Sequence, residues 1–174
     1  MYFWTCCILV DCSSENYNLK NNVPYRQKTG LLLAHRIGQL FAELGYYSWI
    51  NIGQSNGVDI KVWDKNFNLI IVIECLNWYQ TTNLDVYRKA RIIRNLSEYH
   101  CNRLLIYTVM GNEYTLNDLF FEGISTIKIG FQIVARYFYR KIKANQAMGR
   151  KVDSRETKEI LQSKLEEYVQ SLSD

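Results

Sequence analysis

Two acids, Asp59 and Glu74, stand on either side of the polar stretch Asp64-Lys65-Asn66-Phe67-Asn68. Val58 to Trp63 and Leu69 to Leu76 are strand-like runs that this stretch joins, which makes the region the strongest hairpin signal in the chain. Side chains alternate along a strand, so Asp59, Lys61 and Trp63 share one face, and Ile70, Val72, Glu74 and Leu76 share a face of the partner. A hairpin closed symmetrically about Asn66 and Phe67 sets Asp59 opposite Glu74. Two carboxylates held that close repel each other unless something positive lies between them. Oxygen donors suit Mg²⁺ or Mn²⁺, bound by one or two carboxylates together with water and a phosphate oxygen. Such an ion orients a water and offsets charge on a phosphodiester. The spacing alone is a weak pattern, more often that of a solvated face or an ion pair with Lys61. The near-continuous apolar run from Leu69 to Ile73 that leads into Glu74 argues instead for a placed carboxylate.

The basic residues around this pair are grouped. Arg88, Lys89, Arg91 and Arg94 form one cluster, and Arg136, Arg140, Lys141, Lys143, Arg150 and Lys151 a second. Arg88, Arg91 and Arg94 at helical three-residue steps form a stripe suited to phosphates, or simply a solvated helix face. The run Tyr137-Phe138-Tyr139-Arg140-Lys141 offers rings for unpaired bases or, as readily, a core or interface. A net charge of +4 permits nucleic-acid binding without requiring it. Other chemistries lack their signatures. Five cysteines (Cys6, Cys7, Cys12, Cys75 and Cys101) include no C-x-x-C pair, and with only His35 and His100 they give little support to a zinc site. There is no glycine-rich phosphate loop and no nucleophile elbow. His35 reads as an ordinary helix residue, of interest only if it faces Asp59, and Cys75 alternates away from the acids into core.

The elements that must position the pair follow from periodicity. Leu33, Ile37, Leu40, Phe41 and Leu44 recur at helical spacing and predict a helix from about Arg26 to Leu44, with Gly45 as its stop. A strand at Tyr46 to Ile52, the hairpin, and a helix at about Leu84 to Glu98 come next, the last with Val86, Ala90, Ile93 and Leu96 inward. Arg103 to Val109 reads as a continuous buried strand, central or parallel, and Ser125 to Ile133 as another. A basic helix at Ala135 to Ala144 and an amphipathic one from Asp153 or Ser154 onward complete the chain. Met1 to Val10 is apolar without a basic flank or cleavage site and reads as a first strand. The 174 residues, 48% apolar and 22% charged, fit one domain: an α/β mixed sheet flanked by helices, with a core over residues 1–134 and a basic helical extension over 135–174. No run is long enough to span a bilayer, and the odd cysteine count fits reduced thiols, so the expected setting is intracellular, cytoplasmic and away from membranes.

Gly57-Val58-Asp59 followed by Ile70-Ile71-Val72-Ile73-Glu74-Cys75-Leu76 resembles the core of the PD-(D/E)xK restriction-endonuclease-like superfamily, in particular its archaeal Holliday-junction-resolvase-like small nucleases. The resemblance spans roughly residues 26 to 109. It implies a restriction-endonuclease-like fold, Mg²⁺ or Mn²⁺ on Asp59 and Glu74, and DNA as partner, held by Arg88, Lys89, Arg91 and Arg94. It also implies a symmetric homodimer, to which the amphipathic C-terminal segment would contribute. Two departures stand out. Leu76 occupies the place of the E-x-K lysine, and Ala34, His35 and Arg36 occupy that of a first-helix glutamate. Lys61, on the face of Asp59, is the substitute for the lysine, and Asn77 a weaker one. The expectation is therefore a metal-dependent DNA endonuclease using Asp59, Glu74 and Lys61; the alternative is a degenerate nuclease-fold module that binds DNA or a protein without cutting.

Overall fold

The computed structural model describes residues 25–52, 57–78, 83–130 and 154–172. The expected strand at Met1 to Val10, the helix at Ala135 to Ala144 with its basic cluster, and Cys6, Cys7 and Cys12 lie outside the described residues.

Helix α1 (Tyr25–Glu43) leads into β1 (Tyr47–Ile50), β2 (Ile60–Trp63) and β3 (Leu69–Leu76). Then come α2 (Val86–Ser97), β4 (Asn102–Tyr107), a 3₁₀ turn at Glu113–Thr115, the short α3 (Leu116–Phe121), β5 (Ile124–Lys128) and α4 (Ser154–Ser171). The five strands form one mixed sheet in the order β1-β2-β3-β4-β5. The first three make an antiparallel meander, and β3, β4 and β5 run parallel. β4 is thus an interior strand parallel to both neighbours, in keeping with its unbroken apolar run. Parallel neighbours need crossovers, supplied by α2 and α3, and the right-handed rule sends both to one face of the sheet.

Alternation divides the core accordingly. Ile71, Ile73 and Cys75 of β3 and Leu104 and Ile106 of β4 pack with Leu33, Ile37, Leu40 and Phe41 of α1. Val72 and Leu76 of β3 and Leu105 and Tyr107 of β4 pack with Ile92 and Leu96 of α2 and Leu119 of α3. Leu161 and Leu165 of α4 are fully buried in the first cluster, so the apolar stripe of this helix is covered by its own chain. That packing accounts for the amphipathic pattern without a second subunit.

Local chemistry fixes the ends. α1 stops before Gly45, whose φ of 87° suits the left-handed exit, with Tyr46 N donating to Phe41 O at 3.0 Å. Gly38 lets α1 approach β1: a Cβ there would lie 2.8 Å from Ile50 Cδ1, and Ser48 Oγ donates to Gly38 O at 2.9 Å. In the hairpin turn Asp64 Oδ1 accepts from Asn66 N and Asn68 N, each at 2.8 Å. This leaves Phe67 at φ 61°, uncommon for a bulky residue, with its ring stacked on Tyr47 at 4.6 Å.

One helix face differs from expectation. In α2 the buried residues are Ile92, Asn95 and Leu96, whereas Val86 is 72% exposed and Ala90 is also exposed. The face that buries Ile92 and Leu96 also brings a polar side chain, Asn95, against the sheet, where it meets Glu74.

Candidate active site

The hairpin register decides the first contact. Ile60 pairs with Ile73, Lys61 with Val72 and Val62 with Ile71, which brings Asp59 toward Glu74. The turn is not symmetric about Asn66 and Phe67, because Trp63 pairs with Leu69 and Asp64 N donates to Asn68 O. A bulge between Val62 and Trp63 restores the register of the acids. Asp59 N donates to Ile73 O at 3.0 Å, one residue out of the Ile60–Ile73 register, which holds Asp59 against β3 just before β2 begins. Glu74 and Val72 share the α2 side of β3, opposite the α1 side that takes Cys75.

The two carboxyl groups are hydrogen-bonded to each other. Asp59 Oδ2 also accepts from Cys75 N at 2.7 Å. Glu74 is 7% exposed, and its Oε1 accepts from Asn95 Nδ2 at 2.9 Å. The same amide nitrogen reaches Gly57 O at 3.2 Å, tying α2 to the segment that carries Asp59. Burial, then the charge of Asp59, pushes Glu74 up to about 8. Burial also raises Asp59, against the Cys75 N–H, the hydrogen bond from Glu74 and the charges of Arg91 and Arg88. The contact between the two carboxyl groups lowers Asp59 and raises Glu74, against a background of burial that raises both.

The cations that act on the pair come from α2. Arg88 is half-buried, with its Cζ 5.2 Å from the centre of the Trp78 ring. Its Nε is buried and has no hydrogen-bond partner among the described residues. Thr108, at the end of β4, fixes Trp78 by accepting from its N at 2.6 Å and donating to its O at 2.7 Å. The start of α2 is set by Asp85, whose Oδ1 accepts from Arg88 N at 2.8 Å, and by the buried Asn112, whose Oδ1 accepts from Leu84 N at 2.7 Å. Arg91 and Arg94 are exposed, whereas Lys89 is ion-paired to Asp118 of α3. The four basic residues of this helix thus have three different environments.

Lys61 shares the face of Asp59, but its ammonium lies 5.0 Å from the Tyr99 ring centre and 5.5 Å from that of Trp49. Leu76, at the place of the missing lysine, is buried in the α2-side core. Asn77 is buried, and His35 is half-buried on α1, which covers the other face of the sheet. Asn95 and Thr108 are not singled out by the sequence pattern, and Trp78 is given no role by it. An asparagine in phase with Ile92 and Leu96 was the available signal, because a polar group that rotates inward with apolar neighbours must find a partner there.

Among the described residues no group of three or more His, Cys, Asp or Glu could hold a metal ion, so any ion here would have two protein carboxylates. That oxygen-only pair suits Mg²⁺ or Mn²⁺, which keep most of their ligands as water and phosphate. The chain matches no protein-family model, and no curated protein matches its sequence. Among the described residues no helix is long and apolar enough to cross a membrane.

Proposed function

We propose that the Asp59–Glu74 pair is the metal-binding centre of a phosphodiester hydrolase acting on nucleic acid, organised like the PD-(D/E)xK nucleases. One observation carries the reading. Two acids from adjacent antiparallel strands are buried against each other at the edge of the core, one held by Cys75 N and the other by Asn95 Nδ2. Burying two carboxylates together is costly and is sustained by a proton or by a cation. A bound Mg²⁺ or Mn²⁺ supplies charge neutralisation and an oriented water for attack on phosphorus. The chain's own groups do the rest. Cys75 N and Asn95 Nδ2 hold the two carboxylates in orientation. Arg88, braced on Trp78 with an unpaired N–H, and Arg91, exposed beside the acids, receive phosphate oxygens. DNA in an intracellular setting is the substrate class this reading favours.

A second reading has its own support. With Leu76 in the lysine's place and the Lys61 ammonium against two aromatic rings, the site lacks an evident group to activate the water. The domain would then bind nucleic acid without cutting it. Mn²⁺ titration by calorimetry, together with incubation of four-way-junction, duplex and single-stranded DNA in Mn²⁺, separates the two. Cleavage that disappears in Asp59→Asn and Glu74→Gln supports the hydrolase. Mn²⁺ binding without cleavage of any of the three favours the binding module, and absence of Mn²⁺ binding removes the metal centre.

A further inference from the structure

The face of the sheet that carries Glu74 continues beyond α2 onto β2 and β1. Tyr47 pairs with Trp63, and Trp49 with Lys61, so these four side chains lie on the Lys61–Val72–Glu74 face. The opposite phase of β1, Ser48 and Ile50, meets α1 at Gly38. α2 covers only the β3–β4 part of its face, so the outer strands keep an aromatic surface in solvent. Tyr47 is 48% exposed, Trp49 41% and Phe67 69%. Phe67 is parallel to Tyr47 within 12°, and Lys61 stands between Trp49 and Tyr99.

Resting on the reading of Asp59 and Glu74 as a phosphodiester site, we infer that this surface is a stacking platform for unpaired nucleotides, over which a single strand reaches the two acids. Flat rings with an ammonium among them match the two halves of a nucleotide, base and phosphate. The platform shares its sheet face with the acids, and Arg91 and Arg94 are exposed on the helix that borders it, so the positive charge continues along the route of a backbone. A sugar would also lie on tryptophan, but it would leave Lys61 and the arginines without an anion. An apolar protein segment would bury Lys61 beside the rings at the cost of its hydration. The feature selects single-stranded or flapped substrates, because bases stacked inside a duplex cannot reach protein rings.

The test is fluorescence anisotropy in EDTA, so that no cutting intervenes, with a labelled oligothymidylate of about twenty nucleotides and a blunt duplex of equal length. The single strand is expected to bind at least about tenfold tighter than the duplex. Trp49→Ala and Tyr47→Ala should each weaken it by about tenfold, with duplex affinity unchanged, and Trp49→Phe should restore most of the loss. Thermal melts of each variant show whether the fold survives; if Trp49→Ala does not fold, the Trp49→Phe and Tyr47→Ala pair carries the comparison. Equal affinity for the two probes, or single-strand binding indifferent to both rings, overturns the inference even if Mn²⁺-dependent cleavage is found. Self-association that disappears in Trp49→Ala, with no preference for the single strand, assigns the surface to a second copy and also overturns it. Tight, ring-dependent single-strand binding without cleavage sustains the platform and refutes only the hydrolase.

Discussion

Asn95 Nδ2 donates to Glu74 Oε1 at 2.9 Å across 21 positions of sequence, on the same face of α2 that buries Ile92 and Leu96. Its amide favours the charged form of Glu74, whereas burial and Asp59 oppose it. Asn95→Ala leaves a buried acceptor without its donor, a change that typically costs about 1–3 kcal/mol. The expected result is lower stability in urea together with roughly tenfold or greater loss of Mn²⁺ affinity, since ligand orientation is lost with it. Unchanged Mn²⁺ affinity would show that Asn95 serves packing alone.

Stability of the metal-free protein should fall as pH rises. Glu74 in the fold has a value of about 8, above its ordinary 4.5, so between those values the folded chain binds a proton that the unfolded chain releases. The stabilisation is complete below about 4.5 and is lost progressively until about pH 8. Asp59, also raised, acts in the same direction. Urea denaturation at acid and alkaline ends of this window should differ by on the order of a few kcal/mol. Glu74→Gln, which keeps the neutral shape, should flatten the dependence. Added Mn²⁺ should restore stability at the alkaline end, with release of protons on binding.

Arg88 and Arg91 should separate in binding assays. Arg91→Ala removes an exposed cation beside the acids, so affinity should drop across unrelated sequences and the salt slope should fall by about one. Arg88→Lys keeps the charge but loses the planar contact with Trp78, so it should behave nearly as poorly as Arg88→Ala. Full function in Arg88→Lys would mean that only charge matters at that position.

α4 should prove to be a structural helix of its own domain. Leu161→Ala and Leu165→Ala each open a cavity against α1 and should cost about 2–5 kcal/mol. Light scattering is expected to give the same association state for these variants as for the intact chain. Dissociation of a dimer on either substitution would reassign the helix to an interface.

Much of the arrangement follows from local rules that the sequence carries by itself. Period-two alternation puts Asp59 and Lys61 on one face and Cys75 on the other, whereas the register that brings Asp59 to Glu74 also needs a bulge between Val62 and Trp63, which a symmetric turn at Asn66 and Phe67 does not contain. Helical spacing defines α1, and Gly45 ends it because few other residues accept its backbone angle. The run through Leu104, Leu105 and Ile106 marks a strand covered on both faces. The surroundings of the acids were settled elsewhere. α2 has apolar residues on more than one side, so its period admits both the Val86–Ala90 face and the Ile92–Leu96 face. The sheet face formed by Val72, Leu76, Leu105 and Tyr107 takes the second, and with it Asn95 comes inward to Glu74. Likewise, strand alternation gives the face on which Lys61 lies, but Tyr99 and Trp49, each from a different element, determine where its flexible stem carries the ammonium. Short-range sterics can be read residue by residue, whereas the partner of a buried charge depends on which elements the fold brings together.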